Sequence, residues 1–284
     1  MTYPTDGPAV WLVTGASRGL GLALVKHLLG RGDRVAATTR SSERLLAALA
    51  DVETANLLPL EVSLTDEAQV GAAIATATER FGRIDVVVNN AGYGILGAVE
   101  DTSTEDIRRM FDVQLIGTWN VIRAVLPQMR DAGSGHIINV SSIVGLLAFP
   151  GWGLYSAAKF AIEGLSESLA AEVAAFGIGV TIVEPGYFDT AFLTEDSLVL
   201  TGDSSGAYPE IVEMIAAHKE MPGTQPGDPS RAAAAFVAIA QREGGPLHQQ
   251  LGSDSSGLAE GKADSLKAEI LAGRELAHST DYVR

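Results

Sequence analysis

Val10-Trp11-Leu12-Val13-Thr14-Gly15-Ala16-Ser17-Arg18-Gly19-Leu20-Gly21 is a four-residue apolar run that breaks into a glycine-rich turn. An apolar run this short and unbroken reads as a strand covered on both faces. Residues 20–29 continue with helical periodicity. The turn therefore joins a buried strand to the amino end of a helix. Glycines let backbone amides approach a pyrophosphate, and the helix end adds a positive partial charge. The spacing is G-x-x-x-G-x-G rather than the G-x-G-x-x-G of the common dinucleotide fingerprint. An ordinary tight turn would also use glycine, so its place directly after a strand carries the phosphate reading.

Outward from this turn the same alternation repeats. Short apolar runs at 34–38, 57–62, 84–88, 136–140, 180–184 and 247–251 read as strands. Helices are expected over 42–52, 104–130, 153–176, 209–219, 230–242 and 254–276. A further helix is expected from an N-cap at Thr65 to Phe81. Strands alternating with helices imply an α/β fold: a doubly wound parallel sheet of Rossmann type, with right-handed crossovers and helices on both faces. No internal repeat or long linker divides it, so one domain over 1–284 is expected. Gly/Ser/Pro-rich stretches at 201–206 and 222–229 mark residues 188–227 as a flap within that domain, expected to order on ligand. Ligands of open α/β sheets bind outside the carboxyl ends of the strands. The informative segments are thus Thr14–Gly21, Thr39–Arg40, Asn89–Gly92, Ser141–Ser142 and Pro185–Thr190.

Composition excludes several classes. At 46% hydrophobic and 19% charged residues the chain is ordinary for a globular protein. It has no apolar run of about 18 residues, so no membrane-spanning helix is expected. Its first residues lack the basic and apolar regions of a signal peptide. A net charge of −15 argues against nucleic acid or an anionic membrane surface as partner. The absence of cysteine excludes disulfides and thiolate metal sites and suits the cytoplasm, the expected compartment. None of the five histidines has metal-like spacing with another, and no metal is expected.

The acid/base candidates are Tyr155 and Lys159, four apart on a predicted helix and so on one face. A free tyrosine titrates near ~10, and a neighbouring ammonium lowers that value. A tunable proton donor and acceptor is what carbonyl reduction or alcohol oxidation needs. Ser142, at the end of the fifth main strand, can hydrogen-bond a substrate oxygen. A lone Tyr-x-x-x-Lys would be read as a solvated helix face; the joint pattern carries the reading.

That joint pattern, in which the Thr14–Gly21 turn, Asn89-Asn90-Ala91-Gly92, Ser142, Tyr155-x-x-x-Lys159 and Pro185-Gly186 before Thr190 stand in order, resembles the short-chain dehydrogenase/reductase family. The resemblance is close over about 10–190 and looser from Ser230. It implies a seven-stranded parallel sheet and Tyr155 as the catalytic acid/base. Ser142 would place the carbonyl, and Lys159 would hold the nicotinamide ribose and lower the tyrosine pKa. Gly15, Ser17, Arg18, Gly19, Leu20 and Gly21 would cradle the cofactor. Asn90, Ala91 and Gly92 would line the adenosine ribose, and Pro185, Gly186 and Thr190 would meet the nicotinamide end. It also implies a homodimer or homotetramer paired through the helices at 104–130 and 153–176. Two positions depart from the family. Gln114 stands where an asparagine usually holds a proton-relay water; it either takes over that relay or merely packs. Ser63, with Leu64, stands where an aspartate often contacts adenine.

The acid that would hydrogen-bond the ribose hydroxyls of NAD is missing after the second strand, where Thr38-Thr39-Arg40-Ser41 stands instead. Arg40 and Arg18 suit a 2′-phosphate, so NADP(H) is expected over NAD(H). Tyr93, Leu96, Val144, Phe149, Trp152, Tyr187 and Phe192 are candidate walls of a pocket for an apolar small-molecule ketone or alcohol. The competing reading is a catalytically impaired NADP(H)-binding sensor or scaffold, for which only Gln114 speaks. A sugar epimerase or dehydratase fits the glycine spacing less well.

Overall fold

The strands hand their side chains alternately to two cores. In the computed structural model, which describes residues 3–4, 7–202 and 205–282, the strands are β1 (Val10–Val13), β2 (Arg34–Thr39), β3 (Leu57–Glu61), β4 (Val86–Asn89), β5 (Gly94–Gly97), β6 (Gly135–Val140), β7 (Ile178–Pro185), β8 (Leu198–Gly202) and β9 (His248–Leu251). The helices are α1 (Gly19–Gly30), α2 (Ser42–Ala48), α3 (Glu67–Phe81), α4 (Thr104–Phe111), α5 (Gly117–Ala132), α6 (Gly153–Val173), α7 (Pro209–Glu220), α8 (Pro229–Gln241), α9 (Ser253–Ala272) and α10 (Arg274–His278). Trp11, Val13, Val35, Ala37 and Val88 pack with Leu24 and Leu28 of α1, Leu45 of α2 and Phe236 of α8. Val10, Leu12, Ala36 and Val87 pack on the other face with Ile74 of α3, Val125 of α5 and Leu169 of α6. This period-two alternation places helices on both sides of the sheet.

The main sheet has seven strands in the order β3-β2-β1-β4-β6-β7-β9, and every pairing is parallel. It is the doubly wound Rossmann-type α/β sheet expected. The order reverses beside β1, so the loops after β1 and β4 leave in opposite directions and open a crevice. A buried polar chain docks α6 onto this part of the sheet. Asn89 Nδ2 donates to Asn139 Oδ1 at 2.8 Å, Asn139 Nδ2 to Ser166 Oγ at 2.8 Å, and Ser166 Oγ to the Ile162 carbonyl at 2.6 Å.

Several details differ from the sequence expectations. Asp66, not Thr65, caps α3, accepting from the Ala68 and Gln69 amides at 3.0 and 3.1 Å. A carboxylate at a helix amino end interacts with the dipole more strongly than a hydroxyl. The helix expected over 104–130 is α4 and α5 joined by a π-helical turn, Asp112–Ile116, which contains Gln114. The expected final helix is divided at Gly273 into α9 and α10. β5 and β8 were not expected at all. They pair in parallel as a separate two-stranded sheet that ties the flap to the chain after β4. Asp189 N donates to Gly227 O at 2.8 Å and Gly227 N to Tyr187 O at 3.0 Å, pinning the two stems of the flap together. Among the described residues no helix is long and apolar enough to cross a membrane.

Candidate active site

The glycine turn is shaped to let another group lie against it. Gly15 has φ +66°, and a Cβ there would stand 2.8 Å from Ala91 Cα. A Cβ on Gly21 would meet the Asn90 amide at 2.5 Å. Both positions thus require glycine, the first for conformation and both for space. Thr14 Oγ1 accepts from the Asn90 and Ala91 amides at 2.9 and 3.1 Å, while Asn90 Nδ2 donates to the Thr14 carbonyl at 2.9 Å. The Asn90–Gly92 segment therefore braces the loop. Arg18 precedes α1 without capping it, and the first turn of α1 holds no acidic side chain. Its amino-terminal amides are left for an anion, which is the fit a dinucleotide pyrophosphate requires. Ser17 lies in the turn and Leu20 packs into the core beneath it.

At the far end of this crevice the positive charge is denser than the sequence reading had it. Burial lowers the Arg18 pKa, and Arg40 and then Arg44 lower it further, against a pull from Asp196. Arg44, four residues after Arg40 in the first turns of α2, was missed; its i,i+4 spacing was the available signal. Arg18 itself differs from the expectation. Its guanidinium donates to the Asp196 carbonyl at 2.6 Å, so it holds the flap. Ser63 is tied to Gln69 through its amide and to Thr65 through its hydroxyl, and the Leu64 carbonyl accepts from Asn120 Nδ2 at 2.9 Å. At the other end, Thr190 lies over Gly19, and the Gly186 amide donates to the Leu251 carbonyl at 2.9 Å just after Pro185 closes β7.

The chemistry-bearing side chains meet where α6 crosses the end of β6. Lys159 is buried, and its Nζ donates to the Val140 carbonyl at 2.9 Å. The same ammonium lies 5.5 Å from the centre of the Tyr155 ring. Burial lowers the Lys159 pKa to about 8, with the Glu163 carboxylate pulling the other way. Tyr155 is pushed above its ordinary value by burial, and the Ser142 hydroxyl offsets part of that. The resemblance implies that Lys159 lowers the tyrosine pKa; in the structure, burial acts in the opposite direction. Ser142 opens a short 3-10 turn by accepting from Val144 N at 3.3 Å.

Gln114 is held by partners of its own. Its Nε2 donates to the Tyr93 carbonyl at 2.8 Å and to the Met110 thioether, and its Oε1 is buried beside Gly92 without a protein partner. The amide thereby fixes the chain leaving β4.

All seven candidate wall residues fall into one apolar cluster with Tyr155. Trp152 and Phe192 stack at 5.5 and 5.6 Å from the Tyr155 ring. Leu96 is fully buried within this cluster. The flap adds Met214, Ile215 and His218, which the sequence reading did not name. His218 Nδ1 donates to the Met214 carbonyl, which leaves Nε2 to accept from the Tyr187 hydroxyl at 2.9 Å. That pairing uses up both polar tips and leaves an apolar wall.

Comparison with known proteins agrees with this arrangement. A family model described as short chain dehydrogenase matches residues 9–198. Oxidoreductase BOA17 of Botryotinia fuckeliana (strain B05.10) is 38% identical over 269 residues, spanning 94% of this chain and 97% of that protein. The crystal structure of a short-chain dehydrogenase from Streptomyces avermitilis has a TM-score of 0.89 at 39% identity, covering 97% of this chain and 100% of that one. A short chain dehydrogenase from Burkholderia cenocepacia J2315, crystallised in complex with NADP, has a TM-score of 0.73 at 29% identity, covering 93% and 97%.

Because Gln114 satisfies a buried carbonyl, Gln114→Ala is expected to lower stability by about 1–3 kcal/mol, the cost of an orphaned buried acceptor. Urea unfolding measures it. A variant as stable as the wild type would show that the Tyr93 bond is dispensable.

Proposed function

The chain belongs to the short-chain dehydrogenase family, and we propose that it moves a hydride between NADP(H) and the ketone or secondary alcohol of an apolar small molecule, with Tyr155 as acid/base. Membership makes it an oxidoreductase that uses a nicotinamide nucleotide. One observation carries the finer reading: Ser142, Tyr155 and Lys159 meet beneath an apolar flap, at the same sheet edge as the glycine cradle.

The nicotinamide, when bound, supplies or takes up the hydride. The protein supplies the proton and the enclosure. Burial keeps Tyr155 protonated at neutral pH, so in reduction it gives its proton to the substrate oxygen as the carbon is reduced; in oxidation it takes one back. Ser142 donates a hydrogen bond to that oxygen and steadies negative charge developing there. Lys159 holds a proton next to the tyrosine and would hold the ribose hydroxyls of a bound nicotinamide nucleotide. The apolar walls exclude water and select a substrate without an anionic group near the reacting carbon. Arg40, Arg44 and Arg18 favour NADP(H): three like charges gathered at one end of the crevice are relieved by a phosphate. Gln114 lends no support to a chemically silent sensor, since its amide braces the site.

The direct test is loss of NADPH absorbance with a panel of apolar ketones. Tyr155→Phe is expected to lose at least ~100-fold in kcat while NADPH affinity stays within about twofold. A variant that keeps more than about a tenth of wild-type kcat would remove Tyr155 from the acid/base role.

For the cofactor, Arg40→Ala is expected to weaken NADPH by on the order of 1.5–3 kcal/mol and to leave NADH unchanged. Fluorescence titration measures both; equal wild-type affinity for the two nucleotides would overturn the preference.

We also propose self-association through α5 and α6, which carry the exposed apolar residues Trp119 and Phe160, with Ile116 of the π turn exposed as well. Light scattering at micromolar concentration should give a dimer or tetramer mass, and Trp119→Glu should lower it. A wild-type monomer would contradict this.

A further inference from the structure

On α6 the charged residues Lys159, Glu163 and Glu167 follow Tyr155 at intervals of four and so share one face. Lys159 and Glu163 are both buried, at 4% and 5% exposure. Burying a carboxylate is costly unless it is paired or hydrogen-bonded, yet among the described residues no lysine or arginine forms an ion pair with Glu163, on which the Ser141 hydroxyl acts. Glu163 faces instead His248 on β9, whose Nδ1 lies 3.4 Å from Glu163 Oε2 and 2.8 Å from Glu184 Oε1. The other ring nitrogen, Nε2, lies 3.6 Å from Glu167 Oε1. The His248 side chain is 34% exposed and that of Glu167 58%. Titratable groups thus follow one another along this face, from the buried lysine through Glu163 and His248 to the exposed Glu167.

The surroundings are those of a proton carrier. Just after β6 comes the Ser141 hydroxyl; from β7, Glu184; from β9, His248, with Gln250 donating to Glu184 Oε2 at 2.5 Å; from α6 itself, Lys159. Gly145 makes room, since a Cβ there would stand 2.7 Å from Glu163 Oε1. Gln114 is committed to Tyr93.

Resting on the reading of Tyr155 as acid/base, we propose that Glu163 and His248 carry protons between Lys159 and solvent. In ketone reduction the substrate carbon gains a hydride from the nicotinamide and its oxygen gains the Tyr155 proton. The phenolate recovers a proton from Lys159, the amine from the Glu163 carboxylic acid, the carboxylate from the His248 imidazolium, and the imidazole from water. One solvent proton is consumed per ketone reduced, and oxidation runs the series backwards. Burial raises Glu163 to about 7 and lowers Lys159 to about 8, so the two lie about one unit apart and exchange in either direction at little cost.

The test uses the full-length protein and two variants, Glu163→Gln, which keeps the volume but cannot carry a proton, and His248→Gln. With saturating NADPH and ketone in dilute buffer, both should lose at least tenfold in kcat, with KM for NADPH within twofold. The pH limb near 7 should vanish, and imidazole buffer should restore turnover. Without cofactor, the His248 NMR titration should differ between the wild type and Glu163→Gln. Unchanged kcat and pH profile in both variants would overturn the route, as would a loss that no buffer restores. A wild type that oxidises no NADPH would instead overturn the reading of the reaction. The NMR titration would still decide whether Glu163 and His248 are coupled, and its failure would refute the route by itself.

Discussion

A buried ammonium held on a strand-end carbonyl is the constraint around which the site is arranged. Lys159 Nζ bonds the Val140 carbonyl at 2.9 Å, in a place where an uncompensated charge would be strongly unfavourable. That bond fixes the height and rotation of α6 over β6. The Asn89–Asn139–Ser166 chain repeats the restraint two turns further along the same helix. With α6 so held, Tyr155 has one place to go: under the flap, beside Ser142 and against Trp152 and Phe192. The burial that costs stability is the same burial that sets the proton affinities of Lys159 and Tyr155, so packing and chemistry cannot be tuned separately here.

The charge distribution divides the crevice. The chain carries a net charge of −15, yet Arg18, Arg40 and Arg44 lie within electrostatic reach of one another where a nucleotide's ribose end would lie. The other end is apolar and closed by a flap that is itself tied down at three points: the β5–β8 pairing, the Phe188–Gly227 bridge and the Arg18–Asp196 bond. Arg18 thus ties the glycine turn to the flap.

Much of this was legible in the sequence because its signals are local. A strand that ends in glycines, a helix with Tyr and Lys four apart, and an Asn-Asn-Ala-Gly turn each announce themselves within a dozen residues. What was missed depends on tertiary pairing. Gly94–Gly97 and Leu198–Gly202 are too short and too far apart to reveal a sheet until the chain brings them together. The π turn around Gln114 has no periodicity of its own, so the amide's swing toward Tyr93 could not be read. Glu163, Glu184 and His248 come from three distant segments, although the four-residue ladder Tyr155, Lys159, Glu163, Glu167 was visible and went unread. Thr65 was taken for the cap of α3 because two capping residues stand side by side, and only the carboxylate of Asp66 reaches two amides.

The account stands or falls on whether hydride passes between a nicotinamide and a carbonyl carbon at this site. Incubating the protein with NADPH dideuterated at C4 and a reducible apolar ketone, then weighing and fragmenting the product alcohol, measures that transfer directly. The account requires one deuterium per molecule, carried on the carbinol carbon. Alcohol without deuterium, or no alcohol from a protein that demonstrably binds NADPH across the whole ketone panel, would contradict it.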